Sequence, residues 1–147
     1  MIIISACLCG VNCKYDGENN INEKILKLFR EGKAVLICPE QLGGQSTPRS
    51  AHEICGGTGA DVLNGNARIL DKNGEDGTEK FIKGAYETLN IAKSCKAEYA
   101  ILKARSPSCG RGTIYDGSFT RSETFGNGVT AELLIRNRVK VITEEEI

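Results

Sequence analysis

The sequence has a single histidine, His52, and lacks the common short catalytic motifs. No GxGxxG, Walker loop or HExxH pattern occurs, so nothing local points to a dinucleotide, a triphosphate or a metalloprotease zinc. A Ser–His or Cys–His catalytic pair would depend on His52 alone. We expect His52 to be exposed to solvent or to make a local hydrogen bond.

An excess charge of either sign and a long apolar run are also missing. The chain has 19 basic and 19 acidic residues, a poor match for duplex nucleic acid, so no duplex partner is expected. No stretch approaches the roughly 20 apolar residues that span a bilayer, so no membrane partner is expected either. The first residues, Met1 to Ser5, lack the basic region of a signal peptide. These absences predict a cytoplasmic protein.

Cysteine, by contrast, is abundant, with seven residues in 147. In the reducing cytoplasm disulfides are not expected, and the odd count agrees. Cysteines in such a protein serve more often as metal ligands or catalysts, and others are small buried hydrophobic residues.

Four short apolar runs predict buried strands, and helical patterns lie between them. The runs are Ile2 to Ala6, Ala34 to Ile37, Tyr99 to Ala104 and Val139 to Ile142. This alternation predicts one α/β domain over residues 1–147, with a three-layer, Rossmann-like architecture and a mostly parallel sheet. Residues 52–77 are interpreted as an excursion, and Asn64-Gly65 predicts a small hairpin over Val62 to Leu70.

Three of the predicted strands run directly into a loop that carries cysteine. Cys7, with Cys9 and Cys13 behind it, follows the first strand; Cys38 and Cys109 follow two others. Because the carboxyl ends of parallel strands share one edge, these thiols are expected to converge where α/β sheets bind ligands. Their spacing matches neither zinc knuckles nor ferredoxin runs, so zinc, Cu(I) and an Fe–S cluster all stay open. The roles of Cys9 and Cys13 also stay open.

Polar side chains occur at the same predicted edge. Glu40 follows Cys38-Pro39 and is a candidate acid or base, or else a surface carboxylate. Ser106 and Ser108 flank Pro107. They are candidate catalytic or binding hydroxyls, or else the polar residues of a turn. The guanidinium of Arg49 can bind a phosphate or a carboxylate through two parallel hydrogen bonds. The alternative is that Arg49 is an ordinary exposed residue. The candidate residues for substrate binding are Ser108, Lys103, Arg49 and Tyr15.

Several segments together resemble the family long called domain of unknown function 523, which includes the thiouracil desulfidases. They follow the family order and cover nearly the whole chain. The segments are Ile4-Ser5-Ala6-Cys7-Leu8, Lys14-Tyr15-Asp16-Gly17, Cys38-Pro39-Glu40-Gln41-Leu42-Gly43-Gly44, Thr47-Pro48-Arg49, Leu102-Lys103-Ala104-Arg105-Ser106-Pro107-Ser108-Cys109-Gly110, Tyr115-Asp116-Gly117 and Gly126-Asn127-Gly128-Val129-Thr130-Ala131.

The resemblance implies a [4Fe–4S] cluster held by Cys7, Cys38 and Cys109. One iron would lack a protein ligand and could bind the sulfur of a thiocarbonyl, as an open zinc site binds substrate. The implied reaction is hydrolytic C–S cleavage that releases hydrosulfide. Glu40 would activate water or shuttle protons. The Ser106 hydroxyl would help to position the reacting groups or to relay protons.

Some members of this family carry an extra C-terminal domain, and the resemblance implies that their substrate is thiolated tRNA. This chain ends at Ile147, so the expected substrate is a small thiolated pyrimidine base, nucleoside or nucleotide. Two alternatives stay open at this point. A persulfide sulfurtransferase would need one cysteine of low pKa and no iron, and a non-enzymatic iron–sulfur or metal-binding protein would turn over no thiolated base.

Overall fold

The computed structural model describes all residues, 1–147, as alternating strands and helices. In chain order the elements are β1 (Ile2–Ser5), α1 (Glu23–Arg30), β2 (Ala34–Ile37), α2 (Pro39–Leu42), β3 (His52–Cys55), α3 (Gly59–Leu63), β4 (Arg68–Asp71), α4 (Thr78–Ser94), β5 (Tyr99–Leu102), β6 (Thr113–Tyr115), β7 (Glu123–Phe125), α5 (Val129–Arg136) and β8 (Lys140–Thr143). Short 3₁₀ helices cover Ala6–Cys9 and Glu144–Glu146.

A four-stranded sheet in the order β2-β1-β5-β8 forms the centre of the fold. All three neighbouring pairs are parallel, with Ile3 opposite both Val35 and Ala100. The predicted α/β class with a mostly parallel sheet is therefore confirmed. The two antiparallel pairs, β3-β4 and β6-β7, lie outside this sheet.

The strands read as unbroken apolar runs because helices cover both faces of the sheet. Ile3 joins a core of 20 buried residues with side chains of α4 and α5. Ile2 and Ile4 point the other way and pack with Ile25 of α1 in a second cluster of eight. The structure thus has the expected three layers.

Local signals account for the two best-predicted helices. The Asn22 side chain accepts hydrogen bonds from the backbone of Lys24 and Ile25, which starts α1. Along α4, the residues at helical spacing are buried on one face: Phe81, Ala85, Leu89 and Ala92. None of the helices combines the length and apolarity that crossing a bilayer requires.

The hairpin predicted over residues 62–70 is wrong. Thr58 and Asp61 form a capping box that starts α3, so Val62 is helical and buried. Asn64-Gly65 ends this helix instead of joining two strands, with Gly65 at φ +81°. The strand that follows, β4, pairs antiparallel with β3, which places Cys55 opposite Arg68. Residues 52–77 do form an excursion from the central sheet.

The strand order creates a crevice between the ends of β1 and β5. From β1 the chain crosses to β2 on one side, while β5 and β8 lie on the other. Connections leaving neighbouring parallel strands in opposite directions open a gap at their carboxyl ends, where α/β proteins bind ligands. The Cys7 loop follows β1 and the Cys109 loop follows β5, so the two loops flank this gap.

Helix α2, which follows Cys38, packs on α4 through two glycines. A Cβ atom built at Gly84 would overlap the carbonyl oxygen of Pro39, and one at Gly43 would overlap that of Lys80. These contacts involve backbone atoms, which cannot rotate away. The backbone of α2, which follows Cys38 and carries Glu40, is thereby held against α4.

Replacing Gly84 with alanine tests this contact. Helix propensity alone favours alanine by about 1 kcal/mol, but the overlap with Pro39 predicts a net loss of about 1–3 kcal/mol in the free energy of unfolding. Urea denaturation measures it. The control Glu87→Ala, exposed on the same helix, should change stability by less than about 0.5 kcal/mol. A Gly84→Ala protein as stable as wild type would contradict the close approach.

Candidate active site

A cavity of about 700 Å³ opens at the carboxyl end of the sheet. All nine candidate residues from the sequence line it, including the three cysteines that follow different strands. Cys7 lies on the 3₁₀ helix after β1, Cys38 caps the N-terminus of α2, and Cys109 lies in the loop after β5. Residues 102 positions apart in the chain thus reach one cavity because their strands are neighbours in the sheet.

Cys13 lies between two of these cysteines, and Cys9 does not line the cavity. Hydrogen bonds with Cys13 lower the pKa of Cys7 and lower the pKa of Cys38 to about 7. The same bonds to Cys38 and Cys7 raise the pKa of Cys13. Cys13 is thus placed to favour the thiolate form of its two neighbours.

Cys109 has a different environment. Burial raises its pKa to about 12, and a hydrogen bond from Ser5 opposes the rise only in part. Its residue is only 4% exposed. A thiol in such a place becomes a thiolate when a bound metal supplies the compensating positive charge.

The cysteines suit a cluster better than a single ion. No group of three His, Cys, Asp or Glu side chains is arranged to hold one metal ion. Iron–sulfur clusters are held by several cysteine thiolates, each on a different iron, and so accept more widely spaced ligands. Three converging thiols in a partly apolar cavity fit that requirement.

The turn that carries Cys109 is fixed by its own serine and by α5. The Cys109 N–H donates to Ser106 Oγ at 2.7 Å. At the start of α5, the amides of Val129 and Thr130 donate to the carbonyls of Pro107 and Ser108 at 2.8 and 2.9 Å. Gly128 permits this approach, since a Cβ there would lie 2.6 Å from the Ser108 carbonyl.

A chain of hydrogen bonds links the two predicted catalytic residues, Ser106 and Glu40. The hydroxyl oxygens of Ser106 and Ser108 are 3.1 Å apart, and Ser108 donates to Glu40 Oε2 at 3.0 Å. The other carboxylate oxygen of Glu40 accepts from Arg49 Nε at 3.0 Å. The chain runs from the Cys109 turn to the start of α2 along the cavity wall.

Arg49 does bind a carboxylate as a charged donor, but that carboxylate is the side chain of Glu40 and not part of a substrate. Its remaining nitrogens donate to Cys13 O at 2.7 Å, Thr47 Oγ1 at 3.0 Å and Ser46 O at 3.2 Å. The side chain is only 7% exposed. The structure thus gives Arg49 the task of holding Glu40 and the Cys13 loop, and its contact with a substrate stays a prediction.

The two other cationic and aromatic candidates lie further out. Lys103 Nζ is 2.6 Å from Glu144 Oε1, and the other carboxylate oxygen of Glu144 accepts from the Ala104 backbone at 2.8 Å. Tyr15 is half-exposed, and its carbonyl accepts from the Arg49 backbone N–H at 2.8 Å. Both line the cavity, and their substrate contacts stay predictions.

Sequence reasoning missed three groups at the site. Ser5 and Glu144 contact its loops, and Cys13, left undecided, lines the cavity. Ser5 lies within a segment that carries the family resemblance, but Glu144 had no recognisable signal. His52 makes the expected local contact, with Nδ1 2.9 Å from Ser50 O, and it also lines the cavity.

Together, the fold and the site define an α/β protein with a thiol-rich cavity at the switch point of a parallel sheet. The chain belongs to the 2-thiouracil desulfurase family, whose model matches residues 2–146. It is similar to the uncharacterized protein YbbK of Bacillus subtilis (strain 168), with 52% identity over all of this chain and 97% of that protein. It also resembles the solved structure of the [4Fe-4S]-dependent thiouracil desulfidase TudS, with a TM-score of 0.87 and 35% identity over 99% of this chain and 91% of that one.

The buried ion pair between Arg49 and Glu40 predicts a large effect on stability. Arg49→Met leaves a carboxylate that is only 17% exposed without its counter-charge, so the free energy of unfolding should fall by about 3 kcal/mol. Arg111→Met breaks the exposed pair with Glu146 and should cost less than about 1 kcal/mol. Urea denaturation of both variants decides the point, and equal small losses would contradict the buried role of Arg49.

Proposed function

We propose that this protein is an iron–sulfur-dependent desulfidase that hydrolyses the C–S bond of a small thiolated pyrimidine in the cytoplasm. The observation that carries the proposal is the convergence of Cys7, Cys38 and Cys109 on a cavity that also contains the Glu40 carboxylate. Family membership and the similarity to TudS support the activity.

Cys7, Cys38 and Cys109 would hold a [4Fe–4S] cluster. When bound, the cluster would supply an iron without a protein ligand, which acts as a Lewis acid toward the thiocarbonyl sulfur. The lowered pKa of Cys7 and of Cys38 favours binding, because the thiolate is the form that binds metals. Cys13 lies beside both and stays a candidate for assisting them.

The overall reaction balances without electron transfer. A thiocarbonyl and one water give the carbonyl and hydrogen sulfide, which dissociates to hydrosulfide and a proton. Water adds to the carbon that carries sulfur, so a base must take one proton from water and an acid must return one to the departing sulfur. The protein therefore needs a proton carrier at the cavity wall.

Glu40, Ser108 and Ser106 are arranged for this task. Because Ser106 Oγ accepts the Cys109 N–H, its own proton is free to point to Ser108 or to a substrate. Ser108 in turn donates to Glu40. A proton taken up at Ser106 can thus pass to the Glu40 carboxylate, while Arg49 fixes the orientation of that carboxylate through Oε1.

The charge at the cavity mouth favours a nucleotide among the three substrate types. Lys72 and Arg121 line the cavity, and neither has a carboxylate within ion-pair distance, in contrast to Arg49 and Lys103. Unpaired cations at the entrance attract a phosphate. We therefore expect kcat/KM for a thiouridine monophosphate to exceed that for the free base.

The decisive experiment is anaerobic reconstitution with iron and sulfide, followed by assay of sulfide release. Wild-type protein should bind about four irons per chain and release sulfide from 2- or 4-thiouracil compounds. Cys7→Ala, Cys38→Ala and Cys109→Ala should each lose iron and activity, whereas Cys95→Ala, outside the cavity, should keep both. Activity without iron would favour a persulfide sulfurtransferase, and iron without turnover would favour a non-enzymatic cluster protein.

The proton path is tested separately from the cluster. Glu40→Gln and Ser108→Ala should each retain full iron content while kcat falls about 10²–10⁴-fold, the usual contribution of general acid–base catalysis. Iron analysis and steady-state kinetics on the same preparations measure both quantities. Near wild-type kcat in Ser108→Ala would remove Ser108 from the path and leave Glu40 acting on water directly.

A further inference from the structure

Ser5 connects the two strands that flank the crevice and has no part in the proton path described above. It is the last residue of β1 and is 2% exposed. Its Oγ accepts from the Lys103 backbone N–H at 3.0 Å, just beyond the end of β5. The same hydroxyl donates to Cys109 Sγ at 3.4 Å. A single hydroxyl thus bridges β1, the end of β5 and one of the converging thiols.

The direction of the second hydrogen bond is settled by chemistry once Cys109 is a thiolate. A thiolate has no proton and can only accept. One lone pair of Ser5 is already occupied by the Lys103 amide, which leaves the single Ser5 proton to point at the sulfur. Both residues are almost fully buried, so water has little access to this hydrogen bond.

We propose that Ser5 donates a hydrogen bond to the cluster-bound thiolate of Cys109 and thereby raises the reduction potential of the cluster. The inference rests on the proposed function, since it requires the cluster. Hydrogen bonds to the sulfurs are among the factors that set iron–sulfur potentials. Donation to a ligand sulfur stabilises the more electron-rich, reduced cluster more than the oxidised one, so the potential rises.

Ser5 is a positioning residue in this scheme, because it acts on the ligand and not on the substrate. Its hydroxyl would withdraw charge from the Cys109 sulfur and, through the electrons shared within a bound cluster, from the iron that has no protein ligand. Such tuning matters for a hydrolytic desulfidase, which consumes no electrons and depends on the Lewis acidity of its iron.

The pair Ser5→Thr and Ser5→Val tests the hydroxyl, because threonine and valine have nearly the same shape. Redox titration of the reconstituted proteins, followed by electron paramagnetic resonance, should give Ser5→Thr a potential near wild type and Ser5→Val a lower one. Ile69→Val serves as the control, since it shortens a buried side chain outside the cavity, so it lowers stability without touching Cys109 and should keep the wild-type potential. Equal potentials in the Thr and Val variants would overturn the inference.

Loss of iron in a variant is also informative. If Ser5→Val binds no iron, thermal denaturation of its apoprotein shows whether the variant is folded. A folded Ser5→Val apoprotein, together with a Ser5→Thr variant that does bind iron, supports the hydrogen bond to Cys109. If both folded variants lose iron, the hydroxyl is not what matters and the inference fails. The proposed function fails separately, if wild-type protein takes up no cluster or releases no sulfide.

Discussion

The parallel pairing of β1 with β5 is the constraint on which the site depends. It brings the loop after residue 5 beside the loop after residue 102, although they are far apart in the chain. The strand order then sends the following connections to opposite sides and leaves a crevice between them. The hydrogen bond from Lys103 to Ser5 lies at the point where the strands part. Cys7 and Cys109 reach the same cavity only because of this arrangement.

Core packing holds the candidate ligands in place from both faces of the sheet. Cys109 belongs to the larger hydrophobic cluster, with residues of α4 and α5, while Cys7 and Cys13 belong to the smaller cluster beside α1. Thiols fixed by packing lose little freedom when they bind a metal. A site built on such supports is more rigid than one on free loops.

Several polar groups of the cavity form a connected network. Glu40 accepts from both Arg49 and Ser108, and Arg49 also bonds to the Cys13 carbonyl. The charges of Glu40 and Arg49 are therefore paired and hydrogen-bonded, which is the condition under which such groups are tolerated in an interior. The same network orients the carboxylate relative to the thiols, so folding and preorganisation of the site have a common physical origin.

Local patterns in the sequence determined the four strands of the central sheet, the helix α4 and the placement of Cys7, Cys38 and Cys109 at strand ends. Burial on both faces makes short apolar runs recognisable, and helical spacing marks α4. The turn at Asn64-Gly65 was misassigned because a turn signal does not say which elements it joins, although Thr58 and Asp61 carry a readable helix start. Only the tertiary structure decided that Arg49 binds Glu40, that Cys13 lies between two thiols and that Ser5 contacts Cys109. Those contacts depend on strand order and long-range approach, which no local pattern in the chain encodes.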